Sequence, residues 1–177
     1  MRDWYQDSFY KKVLFATDFS EASQYAMAHA VSIAKRCGAK LYIIHVIYDV
    51  TGVKPVVAHP SMDKFYEEMI NEAKHEMERC YREELRGYEN VELVVKKGTP
   101  SFVVNDFARE NKVDLIVVAT LGRTGLERLI FGNTCDKIIR RAPCPVLAVR
   151  KAEYMEEVKA EDKKEGELPG HEQVSHS

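Results

Sequence analysis

Asp18 closes the short apolar run Lys12-Val-Leu-Phe-Ala-Thr17, and a second run, Asp114-Leu-Ile-Val-Val118, leads into a segment punctuated by Gly122 and Gly132. These residue types suit the binding of a polyphosphate better than covalent chemistry. A glycine loop lets backbone N–H groups approach an anion without a Cβ in the way. Gly122 with Arg123 and Thr124 fits that description, and Arg123 and Arg128 add positive charge. Gly132, Asn133 and Thr134 open an amphipathic segment, where the N–H groups of a helix start carry partial positive charge. Two such cradles would hold successive phosphates. The alternative is local: Gly122 ends a strand and Gly132 caps a helix. Asp18 has two readings of the same kind. Its carboxylate would accept hydrogen bonds from ribose hydroxyls or an adenine amino group, or help hold a divalent cation such as Mg2+ or Mn2+. Otherwise it, or Ser20, satisfies free N–H groups of the helix that follows.

Other chemistries find little support. The chain has no GxxxxGK[ST] loop and no strand-adjacent GxGxxG. A phosphoryl-acceptor site would need an acceptor Asp after the third strand, where Lys96-Lys97-Gly98 stands instead. Adenylating enzymes of related folds carry SGGxDS or HxGH near the first strand, and neither occurs. The six histidines show no ligand spacing with one another or with cysteine, and His45 reads as a core imidazole. No Ser-His-Asp or Cys-His arrangement is legible, so no catalytic residue is assigned. Cys37, Cys80, Cys135 and Cys144 form no CxxC pair and read as reduced, mostly buried thiols.

The elements that must position these residues follow from periodicity. Lys12–Thr17, Ala39–Ile47, Val91–Lys96, Asp114–Ala119 and Val146–Val149 are continuous apolar runs, the pattern of parallel strands buried on both faces. Ser20 offers an N-cap, and Ala22, Tyr25, Ala26, His29, Ala30 and Ile33 make one helical face that closes at Gly38. Ser61–Arg86 is predicted to be a long charged helix with Phe65, Met69, Ala73, Met77, Cys80 and Leu85 inward, its methionines filling core. A further helix begins near Pro100, which suits a first helical position, and another runs through Arg141. Residues 48–60 read as a loop across the end of the sheet. Strands alternating with helices imply an α/β fold with a mainly parallel sheet. Ligands bind such sheets beyond the carboxyl ends of strands, at the switch point of strand order. Three elements lie at such ends: Ala16-Thr17-Asp18 after the first strand, His45-Val46 near the end of the second, and the Ala119–Thr134 segment after the fourth.

At 177 residues and 45% hydrophobic composition the chain reads as a single globular domain, residues 11–150, after a short extension, residues 1–10. Residues 151–177 are charged and poor in apolar groups; a short helix over 153–164 and a disordered end are expected. A net charge of −2 gives no electrostatic case for nucleic acid or an anionic membrane. No apolar stretch suits a bilayer span and the first residues lack a signal-peptide core, so a cytoplasmic location is expected.

In their order and spacing, Lys12-Val-Leu-Phe-Ala-Thr-Asp-Phe-Ser20, Ile43-Ile-His-Val46, Gly98-Thr-Pro100, Asp114–Val118, Gly122…Gly132 and Ala142-Pro-Cys-Pro-Val-Leu-Ala-Val149 resemble the universal stress protein family. That resemblance covers roughly residues 11–150. It implies an open five-stranded parallel sheet in the order 3-2-1-4-5 with helices on both faces, like the adenine-nucleotide alpha-hydrolases. It also implies a homodimer through strand 146–149, and ATP or AMP as ligand with slow hydrolysis at most. Carried over by position, Ala16, Thr17, Asp18 and Val46 would frame adenine and ribose. Val118, Ala119, Gly122, Arg123, Gly132, Asn133 and Thr134 would line the ribose and phosphates. The family's Gly-x-x-Gly, nine residues, Gly-Ser/Thr pattern is met at Gly122 and Gly132, but Ala119 and Asn133 stand at its first and last positions. Those two departures motivate an alternative, a nucleotide-free member acting as a dimeric interaction module.

Overall fold

The structure is a computed structural model that describes residues 10–48, 60–120 and 132–151. Five strands, β1 (Lys12–Thr17), β2 (Lys40–Tyr48), β3 (Val91–Gly98), β4 (Leu115–Ala119) and β5 (Val146–Val149), alternate with helices α1 (Glu21–Cys37), α2 (Pro60–Cys80), α3 (Pro100–Glu110) and α4 (Asn133–Arg141). All pairings are parallel and the strand order is 3-2-1-4-5, as expected. The expected strands appear within two residues of their predicted ends.

Apolar side chains on both faces of the sheet explain why it is covered twice. Val13 and Phe15 of β1 pack with α1 and with Met77 and Tyr81, while Leu14 and Ile116 pack with Val104 and Phe107 of α3 and Ile138 of α4. Alternate residues of one strand thus feed two cores, since successive side chains leave a strand on opposite faces. At the amino end of the sheet, Asp114 Oδ2 accepts the N–H groups of Lys11 at 2.9 Å and Lys12 at 2.8 Å, pinning β1 to β4.

Helix ends follow local chemistry. Ser20 caps α1 by accepting the Ser23 N–H at 3.2 Å, and Gly38 ends it in the left-handed region at φ 63°. Pro100 opens α3 as predicted. Gly98 precedes it at φ 140°, where a Cβ would also meet Val103 Cγ2 at 2.9 Å. The long charged helix is shorter than expected. α2 stops at Cys80 and residues 81–87 form turns. Lys35 Nζ donates to the carbonyls of Glu84 and Arg86 within those turns, satisfying acceptors that helix amides would otherwise take. Phe65 is 53% exposed and so is not part of the inward face, whereas Met77 is wholly buried. The four cysteines are free thiols; Cys135 is buried and the other three are half-buried, less than expected. The predicted loop across the sheet and the charged tail lie outside the described residues, apart from their edges.

Candidate functional site

β1 is central, with β2 on one side and β4 on the other, so the chain leaves β1 and β4 toward opposite edges. That is the switch point, and a cleft of about 580 Å³ opens there at the carboxyl ends of the strands. Every described residue of the expected set lines it: Ala16, Thr17 and Asp18 at the end of β1, Val46 on β2, and Val118 and Ala119 on β4. Gly132, Asn133 and Thr134 at the start of α4 complete the group. Gly122 and Arg123 lie outside the described residues.

The β1–α1 connection is only Asp18, Phe19 and Ser20, and it turns sharply. Thr17 Oγ1 accepts the Phe19 N–H at 3.0 Å, and Asp18 Oδ1 accepts the Ser20 N–H at 3.0 Å. Each is a side chain bonding the backbone two residues on, the chemistry by which Thr and Asp shape turns. Between them Phe19 takes φ 63°, uncommon for a residue with a bulky side chain. Its ring lies on the His45 ring, with centroids 4.4 Å apart. His45 Nδ1 is 3.0 Å from the Thr17 carbonyl; since a carbonyl only accepts, the imidazole carries its proton on Nδ1 there. His45 is therefore part of the cleft wall, half-buried, rather than a core imidazole. Asp18 Oδ1 bonds the turn itself, through the Ser20 N–H, while the Ser20 side chain caps α1 at the Ser23 N–H.

The opposite wall is the N-terminus of α4. The expectation that the Gly132 N–H faces an anion is not met: it donates to the Thr120 carbonyl at 2.7 Å. Gly132 caps α4 without a side-chain hydrogen bond, at φ −62° and ψ 152°. The first-turn amides that follow it, those of Asn133, Thr134 and Cys135, have no intrahelical acceptor by the geometry of an α-helix. Asn133 and Thr134 are exposed in the cleft. Ala119 is less obstructive than its added methyl suggests. It packs in the core on the α1 side, whereas Val118, its neighbour in the cleft, packs on the α3–α4 side.

Several wall residues were missed in the sequence. Met69 of α2, expected to fill core, lines the cleft, as do Pro100 and Val104 of α3, Ser23 of α1, and the 60%-exposed Tyr48. Helical periodicity marks Met69 and Val104 as inward but cannot say whether inward means core or cleft. Pro100 alone carried a usable signal, since it opens a helix directly after a strand. The interior of the cleft is thus apolar, from Val46, Met69, Pro100, Val104 and Ile138, with polar groups gathered at Asp18 and α4.

The cysteine in the cleft wall is not prepared as a nucleophile. Burial pushes the Cys135 thiol up to about 11, which keeps it protonated and unreactive. Among the described residues, no group of three His, Cys, Asp or Glu side chains is placed to hold a metal ion. None of the described helices is long and apolar enough to cross a membrane.

Comparison with known proteins bears on what this arrangement serves. The model of the universal stress protein family matches residues 9–150. The universal stress protein MJ0531 of Methanocaldococcus jannaschii is 33% identical over 145 residues, covering 82% of this chain and 85% of its own length. Among solved structures, the universal stress protein UspA from Lactobacillus plantarum superimposes with a TM-score of 0.67 at 27% identity, over 81% of this chain and 100% of that one. A universal stress protein solved in complex with cAMP superimposes with a TM-score of 0.55 at 25% identity, over 80% of this chain and 98% of that one.

Proposed function

Given that this chain belongs to the universal stress protein family, we propose that its cleft binds an adenine nucleotide, ATP or AMP, as a regulator in a stress response. One observation supports this most. A helix N-terminus whose first-turn amides have no acceptor within the helix faces the same cleft as the Asp18 turn, across an apolar interior sized for a nucleoside. In this reading the base enters between Val46 and Val104, and the ribose hydroxyls meet Asp18. The phosphates reach the amides of Asn133, Thr134 and Cys135, joined by Gly122 and Arg123. The likeness to a family structure that holds cAMP supports the adenine class. Mg2+ or Mn2+ would arrive on the phosphates, which needs no protein cage. The residues present fit binding better than turnover. No described side chain is arranged as a base for an attacking water, so hydrolysis is slow at most. The protein would act in the cytoplasm.

Calorimetric titration with ATP and Mg2+ tests the reading. A saturable one-to-one heat supports it, and no heat together with no thermal shift at millimolar ATP ends it.

A second reading, a dimeric interaction module, is favoured by one observation. β5 is an edge strand, and its Val146, Leu147 and Ala148 are only half-buried. An apolar edge of that kind is a template for pairing with another chain. A homodimer through β5 is compatible with nucleotide binding. The module reading alone stands if the gently purified protein carries no nucleotide, ignores added ATP and sediments as a dimer. A monomer at micromolar concentration removes the dimer from both readings.

A further inference from the structure

Tyr81 lies just beyond α2, wholly buried, and does not line the cleft. Its hydroxyl meets Thr17 Oγ1, across 64 residues of sequence. Thr17 Oγ1 is also 3.2 Å from Ser23 Oγ and accepts the Phe19 N–H. Ser23 Oγ is 2.8 Å from the Ser20 carbonyl.

The proton directions in this cluster follow from counting donors. A hydroxyl has one proton to give, and a carbonyl can only accept. Ser23 therefore donates to Ser20 and must accept from Thr17. Thr17 has then committed its proton to Ser23, so the bond to Tyr81 must be donated by the phenol. The chain runs one way: Tyr81 to Thr17, Thr17 to Ser23, Ser23 to the Ser20 carbonyl. Thr17 Oγ1 accepts two hydrogen bonds and gives one, which leaves its hydroxyl nothing to offer a ligand.

We propose that Tyr81 is a positioning residue for the cleft: its hydroxyl begins a one-way hydrogen-bond chain that locks the Asp18–Ser20 turn in its ligand-facing shape. Three elements meet in this chain: the end of β1, the first turn of α1 and, distant in sequence, the exit of α2. The turn needs such a lock because Phe19 sits in the left-handed region, which the backbone of a bulky residue leaves readily. Phenol rather than phenolate is required, because only the protonated form donates. Burial favours that form, pushing the group up to about 12. The inference rests on the nucleotide reading for what the turn presents Asp18 to, but not for the lock itself.

Tyr81→Phe removes the donor and little volume. ATP affinity of the folded variant is expected to fall roughly tenfold, the scale of one lost hydrogen bond. Hydrogen exchange at the Phe19 and Ser20 amides is expected to quicken by a similar factor, with amides of β3 and α3 unchanged. Unchanged affinity in a protein whose wild type binds ATP overturns the proposal. If the wild type ignores ATP, the nucleotide reading fails, and the exchange rates decide alone: quickening at the turn sustains the lock, and no change overturns it. Should the variant not fold, the wild-type hydroxyl protons settle the direction by NMR. A Tyr81 hydroxyl proton close to the Thr17 methyl, with the Thr17 hydroxyl proton toward Ser23, supports the chain. A Thr17 proton directed at Tyr81 overturns it.

Discussion

Of the helix N-termini at the cleft, those of α1 and α4 are treated oppositely. At α1, Ser20 caps the first turn and the residues before it are bonded to one another through Thr17, Asp18, Ser23 and Tyr81. At α4, Gly132 offers no side-chain cap, and its own N–H is committed to the Thr120 carbonyl. Both helices have the same partial charge at their starts, so the dipole alone does not distinguish them. What distinguishes them is the cap: the Ser20 side chain bonds an amide of α1, and no side-chain cap is made at α4. A satisfied terminus stabilises the fold, while an unsatisfied one that faces a cleft is satisfied by water or by a ligand. In the proposed function the α1 wall therefore gives shape and the α4 wall recognition.

The largest effect is expected from a charge on the recognition wall. Asn133→Asp puts a carboxylate beside the amides proposed to meet phosphate, and like charges at such range cost several kcal/mol. ATP affinity should fall about a hundredfold. The same change should raise thermal stability slightly, by about 0.3–1 kcal/mol, because an acid suits a helix start. Affinity and melting temperature moving in opposite directions would sharpen the comparison; a matching affinity for ATP would break it.

Alkali addresses one buried group behind each wall, Tyr81 at the α1 side and Cys135 in α4. Tyr81 is raised from 10.0 to about 12 and Cys135 from 9.0 to about 11, both by burial. Folding holds both groups protonated more tightly than the unfolded chain does. Their contribution is complete below pH 9–10 and is lost as pH rises through about 11 to 12. Each shift corresponds to at most roughly 2–3 kcal/mol. Denaturant midpoints should stay level with respect to these groups up to about pH 9 and then decline. A steady midpoint through pH 12 would show that neither hydroxyl nor thiol is held as described.

Removing the cap should cost less. Ser20→Ala is expected to lower stability by about 1 kcal/mol, since the Ser23 amide loses its acceptor. A change at Gly132 has no corresponding side-chain bond to lose, and melting curves of Ser20→Ala and Gly132→Ser compared directly would test that asymmetry. The smallest effect concerns Ala119, whose methyl packs in the α1-side core. Ala119→Gly should cost about 0.5–1 kcal/mol of stability through backbone entropy and lost packing. A gain in ATP affinity larger than that loss would mean the methyl obstructs the cleft after all.

The order and identity of the elements were legible because they depend on near neighbours in the chain. Buried runs such as Phe15 with Leu14 and Val13, the serine at the start of α1 and the glycine at its end all act within a few residues. The same locality explains why Asp18, Val46 and Gly132 were expected where they line the cleft: each lies at or near a strand's carboxyl end or at a helix start. Where the reading failed, the deciding contact was distant or the alternative was equally periodic. Met69 and Met77 occupy the same helical stripe, yet one lines the cleft and the other is core. Gly132 could be placed at a helix start, but not the direction in which its N–H points.

The amino-acid sequence by itself thus determined the five-stranded alternation, its family and the neighbourhood of the cleft, because hydrophobic periodicity and capping are short-range. Only the tertiary structure decided which inward residues line the cleft, that the Gly132 N–H turns to Thr120, and that Tyr81 reaches the turn at all. Those outcomes depend on the relative placement of groups tens of residues apart, and no local pattern encodes the direction of a single hydrogen bond across that distance.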